Sequence, residues 1–255
     1  MAPGEFRMPF PAAAKRAIRR RFPSLTNAYS KLRGTLLRLH WRFVKRPQLR
    51  RMSLEAVFSL YYDRHVWGRG AESISGGGST TAATETIRSA LPKLISDFGV
   101  RTMLDIPCGD GNWMSQVPLN LDLYIGADIV QQLVDFNLRR WGETERRKFA
   151  KLDLTLDGLP RVDLIFCRDC LVHLSDANVI RGLANIKASG SKYLITSTFP
   201  NHPENADIVD GEWRPINLER QPFNLPPPLK LVCEGLTESS CCDKSLGLWL
   251  IDELP

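Results

Sequence analysis

No apolar run in this chain approaches the roughly 18–20 residues that a bilayer-crossing helix needs, so no transmembrane helix is expected. The N-terminus lacks a continuous apolar core, and no secretory leader is read there. The cysteines at 108, 167, 170, 233, 241 and 242 are scattered, in a chain long enough to need no disulfide framework. They are read as reduced thiols of a cytosolic protein. Cys167 and Cys170 form a C-x-x-C, but Cys241–Cys242 has no matching zinc-ligand spacing, so no metal is expected. Acids are nearly missing from residues 1–51, where Glu5 stands alone against 14 Lys and Arg. The remaining residues hold 20 bases and 27 acids, so the net +6 divides into +13 for the arm and −7 for the rest. An acidic core argues against a nucleic-acid-binding domain.

What the chain does have is "RTMLDIPCGDGNW" (101–113) followed by "LYIGADIV" (123–130). The first is a short apolar run that ends on Asp105 and breaks into a turn with Gly109 and Gly111. The second is another apolar run that ends on Asp128. Strand, glycine turn, helix and a second strand with a terminal acid is how an α/β sheet holds a nucleoside, the second carboxylate accepting from the ribose hydroxyls. A dinucleotide fingerprint would need a third glycine, and Met114 stands in its place. Asp105 would repel a pyrophosphate and attract a cation, which disfavours a hydride-transferring dehydrogenase. S-adenosylmethionine carries both an ammonium and a sulfonium. Taken alone, the motif is also compatible with an ordinary strand–turn–helix corner.

Alternating patterns continue along residues 52–255. Helices are predicted at 53–67, 84–98, 112–117, 130–141 and 176–188. Strands are predicted at 101–106, 122–128, 148–153, 162–167 and 192–199, with a closing hairpin at 230–235 and 246–251. This is an α/β, doubly wound, mostly parallel seven-stranded sheet.

"LDIPCGDG" resembles motif I of class I S-adenosylmethionine-dependent methyltransferases, with Pro107 in place of the first glycine. The ordered acids extend the resemblance over most of 60–254. "ESISGGGS", "PCGDGNW", "CRDCLVHL" and "GEWRPINLERQPF" are similar to a family of bacterial methyltransferases associated with surface-glycan genes. The resemblance implies a Rossmann-like fold and S-adenosyl-L-methionine as cofactor. It also implies cofactor contacts from Asp105, Pro107, Gly109, Gly111, Asp128, Ile129, Asp153, Leu154 and Arg168, with Asp153 meeting the adenine amino group. The end of "DLIFC" would lie beside the reactive methyl. His173 and Asp169 are the candidate bases there, His173 having the more suitable ordinary pKa. Arg168 could instead hold an acidic acceptor or pair with a neighbouring acid.

Two further segments stay open. Residues 75–79, through Ser75 and Gly77, read as an anion cradle at a helix start or as a flexible linker. Residues 200–228 hold seven prolines and read as a lid over the acceptor, with Trp213 and Asn217 among its polar and aromatic contacts to a saccharide or other small molecule. The arm (1–51) predicts a short helix at 12–22 and a basic amphipathic helix after Ser24 or Thr26. In the latter Leu25, Tyr29, Leu32, Leu36, Leu39 and Phe43 share a face, and Pro47 ends it. An anionic membrane surface met through 12–46, which would place the protein peripherally on the inner membrane face, competes with a packing or oligomerisation helix, a presequence and a solvated tail. The expected reaction is O-methylation of a small-molecule or glycan acceptor. The rivals are an RNA-modifying methyltransferase, disfavoured by the lack of an Asn/Asp-Pro-Pro-aromatic motif after strand four, and an inactive nucleotide-binding scaffold.

Overall fold

The computed structural model describes residues 32, 34–36, 39–68, 72–235 and 242–255. The chain divides into two units, Met1–Met52 and Ser53–Pro255. In the first, a π-helical turn spans Trp41–Lys45 and a short helix follows at Arg46–Leu49. Helix therefore runs past Pro47, where the sequence predicts a stop. The proline falls at the first positions of the new helix, where its missing N–H has no intrahelical partner to lose. The predicted helix at 12–22, its neighbouring caps at Ser24 and Thr26, and Leu25 and Tyr29 lie outside the described residues. Among the described residues no helix is long and apolar enough to cross a membrane.

The second unit opens with α1, Leu54–Asp63, whose Ser53 cap accepts from the Ala56 N–H (3.2 Å). Val57 and Tyr61, four apart, are its buried pair. The helix stops short of the predicted residue 67 because the chain turns at His65, φ +47°. α2, Glu85–Asp97, runs through Pro92 and buries Ile87, Leu91, Leu94 and Ile95 on one face. α3 (Gln131–Trp141) and α4 (Asp176–Ala188) complete the long helices. The predicted helix at 112–117 is a single 3-10 turn, Met114–Gln116.

Seven strands form one sheet. They are β1 (Thr102–Asp105), β2 (Leu123–Asp128), β3 (Arg147–Lys151), β4 (Leu164–Cys167), β5 (Tyr193–Thr198), β6 (Lys230–Cys233) and β7 (Ser245–Leu250). Their order is β3-β2-β1-β4-β5-β7-β6. The first five are parallel, and β7 inserts antiparallel between β5 and β6. This is the doubly wound, mostly parallel sheet that the alternating pattern predicts. β3 ends at Lys151, so Asp153 sits in the turn beyond the strand rather than closing it.

Strand pleating explains the two cores. In β4, Leu164 and Phe166 face the α2 side, with Met103, Ile195, Leu246 and Leu248. Ile165 and Cys167 face the α4 side, with Leu104, Leu194, Val179 and Ile186. The proline-rich segment contributes to that second core through Ile216, Leu218, Phe223 and Leu225, all buried. Trp249 joins them, its indole N–H donating to the Pro226 carbonyl (2.7 Å). The segment is thus packed into the domain along much of its length. Replacing Trp249 by alanine leaves a cavity beneath it, and the expected loss is about 3–5 kcal/mol. Urea unfolding checks this, and an unchanged midpoint would remove Trp249 from the anchor.

Candidate active site

β1 and β4 are neighbours in the sheet although β2 and β3 intervene in sequence. The strand order therefore reverses at β1/β4, and a crevice opens over their carboxyl ends, the usual ligand position in open α/β sheets. A cavity of about 620 Å³ lies there.

The glycine turn after β1 forms its floor. Pro107, after a cis peptide bond, and Gly109, φ +56°, turn the chain back under the crevice. The Cys108 N–H donates to the Ala127 carbonyl (2.8 Å), which staples the turn to β2. Asp128 closes the corner, its Oδ2 accepting from the Gly109 N–H (3.1 Å) and its Oδ1 from the Val130 N–H (2.9 Å). From α3, Asn137 donates to the Gly109 carbonyl (2.7 Å). Asp105 accepts from the Tyr124 hydroxyl (2.6 Å). Both carboxylates are buried. Desolvation pushes Asp105 up to about 7, against the Tyr124 hydrogen bond and helped by the nearby Asp128 charge. Desolvation also pushes Asp128 up to about 6, against its backbone hydrogen bonds.

Residues 73–75 dock on this turn through Asp110. Its carboxylate accepts from the Ser73 hydroxyl (3.1 Å) and the Ile74 N–H (2.9 Å), and its own N–H donates to Ser75 Oγ (2.8 Å). The segment that follows, Gly76–Ser79, lines the cavity. Nothing in the sequence singled out Asp110, although it sits inside the quoted motif.

At the end of β4, Arg168 is buried and its guanidinium is committed. It donates to both oxygens of Glu234 (2.8 and 3.2 Å) and to the Gly78 carbonyl (3.0 Å). Of the three expectations for Arg168, a cofactor contact, an acidic acceptor and a neighbouring acid, its geometry shows the pairing with an acid. Asp169, φ +55°, receives Lys244 Nζ (2.6 Å), Arg168 (3.2 Å) and the Ser197 hydroxyl (3.2 Å). Burial would raise its pKa, but the Arg168 and Lys244 charges outweigh it and hold the carboxyl well below its ordinary value. His173, in a 3-10 turn at Leu171–His173, packs against Trp67 with ring centres 5.0 Å apart and planes tilted by 39°. Its Nδ1 lies 3.0 Å from the Glu212 carbonyl. Desolvation lowers its pKa, partly offset by that hydrogen bond and by Asp169.

The cavity thus gathers most of the residues expected from sequence: Asp105, Pro107, Gly109, Asp128, Ile129, Asp153, Leu154, Arg168, Asp169, His173, Ser75, Gly77 and Trp213. Gly111 and Asn217 are not among its walls. Gly111 faces a second recess beside Asn137 and Trp141. Asn217 is buried, donating to the carbonyls of Pro200 and His202 (both 3.0 Å), so it holds its own loop instead of a substrate. Phe58, Tyr62 and Lys244 line the cavity without having been anticipated. The two aromatics carried only a helical pattern, and Lys244 no local signal.

No protein-family model matches the sequence, and no curated protein matches it. Solved structures do. The Burkholderia thailandensis 1,6-didemethyltoxoflavin-N1-methyltransferase, solved with bound 1,6-didemethyltoxoflavin and S-adenosylhomocysteine, superposes with a TM-score of 0.54 at 20% identity, over 77% of this chain and 86% of that one. The methyltransferase domain of the bacterial CtHen1-C superposes at 0.50 and 12% identity, over 66% and 98%. The chain has the Rossmann-like fold of S-adenosylmethionine-dependent methyltransferases.

Two buried acids with raised pKa values bind protons on folding. Their contribution to stability is complete below the unfolded carboxylate range near 4 and is lost as pH rises through about 6–7. The unliganded protein should therefore be less stable at pH 8 than at pH 5, by a share on the order of 1–4 kcal/mol from Asp105. Asp105→Asn should flatten that slope in denaturant titrations at the two pH values. An equal slope in variant and parent would refute the assignment.

Proposed function

We propose that this protein is an S-adenosylmethionine-dependent methyltransferase acting on an oxygen of a small-molecule acceptor, with His173 as general base. The fit of the cofactor rests on the donor set of the cavity. Three carboxylates, Asp105, Asp128 and Asp153, stand at or just beyond the ends of β1, β2 and β3. They suit an ammonium, a ribose diol and an adenine amine. Ile129, Val130, Leu133, Leu152 and Leu154 between them offer apolar cover for a purine. A pyrophosphate would face the acids, while the nearest cations, Arg168 and Lys244, are already paired.

When bound, S-adenosylmethionine supplies an activated methyl, the acceptor oxygen forming its C–O bond as the C–S bond breaks and the electron pair stays on sulfur. The protein's work is alignment, exclusion of water and removal of one proton. The observation that carries the base assignment is the contact between His173 Nδ1 and the Glu212 carbonyl. A carbonyl only accepts, so Nδ1 carries the hydrogen and the neutral ring keeps its lone pair on Nε2. The lowered pKa keeps the ring neutral at pH 7. Asp169, the other candidate, is held anionic by two cations and is too weak a base for a hydroxyl. Its role here is to add negative charge beside the imidazole, favouring the protonated ring once the proton has moved.

Two experiments test this reading. Calorimetric titration with S-adenosylmethionine should show binding that Asp128→Ala abolishes and that weakens as pH falls through about 7 to 6, because the ammonium loses its anionic partner Asp105 and the ribose diol then loses the anionic form of Asp128. Binding of NAD in its place would overturn the cofactor. With labelled methyl and an accepted hydroxyl compound, His173→Ala should lower turnover by about 10²–10⁴-fold. Cofactor affinity should stay the same, and the parent's acid limb should lie below the ordinary imidazole value of about 6.5. Unaltered turnover in the variant would eliminate His173 as base.

A further inference from the structure

The sequence predicts an array of amide, acid and imidazole groups in residues 200–228 to meet a polar acceptor. The structure commits much of that array elsewhere. Asn205 donates to the carbonyls of Asn217 and Gln221 (2.9 and 2.8 Å). Asp207 accepts from the Asp176 N–H (2.8 Å), and Arg214 is buried against Asp176 (2.6 Å). Of the whole segment only Trp213 lines the cavity, and among the described residues no asparagine or glutamine does. A saccharide held in a pocket needs several such donors and acceptors to replace its hydration.

The acceptor side is walled by rings instead. Trp67 packs at a 39° tilt against His173 and lies 5.8 Å from Phe58, at 38°. Tyr62 also lines the cavity. Trp213 stands edge-on to Phe199 at 6.1 Å and 82°, and it is 40% exposed. The charges nearby cancel, since Arg168 and Lys244 are matched by Glu234 and Asp169 at 2.6–3.2 Å.

From this arrangement we infer that the acceptor is a neutral, planar hydroxyarene, placed against Trp213 and the Trp67–His173 pair with its hydroxyl towards His173 Nε2. This rests on the methyltransferase reading and narrows its substrate. A phenolic hydroxyl, near 10 in water, lies within reach of an imidazole, whereas a sugar hydroxyl is a far weaker acid. The hydroxyl proton passes to Nε2 and on to solvent as the oxygen takes the methyl, leaving an aryl methyl ether and S-adenosylhomocysteine.

The test is calorimetric titration of the full chain with 2-naphthol and 7-hydroxycoumarin, and separately with methyl glucoside and methyl rhamnoside, each with and without S-adenosylhomocysteine. The arenes should bind and the glycosides should not. Trp213→Ala, at an exposed position that spares the fold, should weaken arene binding about three- to tenfold through the lost ring contact. The inference is overturned if no arene binds in either condition, if the glycosides bind more tightly, or if Trp213→Ala leaves arene affinity unchanged. S-adenosylhomocysteine binding without arene binding defeats this inference alone. Arene binding without S-adenosylhomocysteine binding defeats the methyl-donor reading alone.

Discussion

The architecture of the site depends on a buried guanidinium. Arg168 follows β4 directly and is almost inaccessible to water, a position that is costly unless the charge is paired and its donors are satisfied. Glu234, just beyond β6, takes two of those donors, and Gly78 takes a third. Lys244, just before β7, bridges Glu234 and Asp169 (3.2 and 2.6 Å). One charged cluster thus ties the feet of the terminal hairpin, the glycine segment and the end of a central strand into one wall. Removing any single member would strand an opposite charge in an apolar setting. The segments that shape the cavity therefore stand or fall together.

Environment separates the acids at this end of the sheet. Asp105 and Asp128 are buried without a cation in hydrogen-bond contact, and desolvation dominates them. Asp169 is flanked by two cations and remains charged. The same functional group therefore offers protonatable sites on one side of the crevice and a fixed negative charge on the other. A cationic ligand would find groups that ionise on its arrival, and His173 lies beside a charge that stays fixed.

The sheet and the corner built on its first two strand ends were legible because both are encoded locally. Apolar runs that end on acids mark the strand ends, and glycines mark the turn, so Asp105, Gly109 and Asp128 could be placed from their neighbours. The part of the cavity lined by Trp67, His173 and Trp213 was less legible because those residues come from three separate stretches. Residues 200–228 misled for a physical reason. Seven prolines remove N–H donors while leaving every carbonyl, so a packed segment without regular structure recruits side-chain amides to satisfy its backbone. Asn205 and Asn217 look like ligand contacts in sequence and serve as internal scaffolding in the fold. The Arg168–Glu234 pair spans 66 residues, and no local pattern announces it.

The fit of Ser75 against the glycine turn carries a last consequence. Gly109 has a positive φ, and a Cβ there would run into the Ser75 hydroxyl and Cβ. That hydroxyl also receives the Asp110 N–H of the same turn. Two stretches more than thirty residues apart therefore share one methyl-sized space, and neither can be redesigned alone. Grafting the glycine turn onto another scaffold would have to bring the serine segment with it.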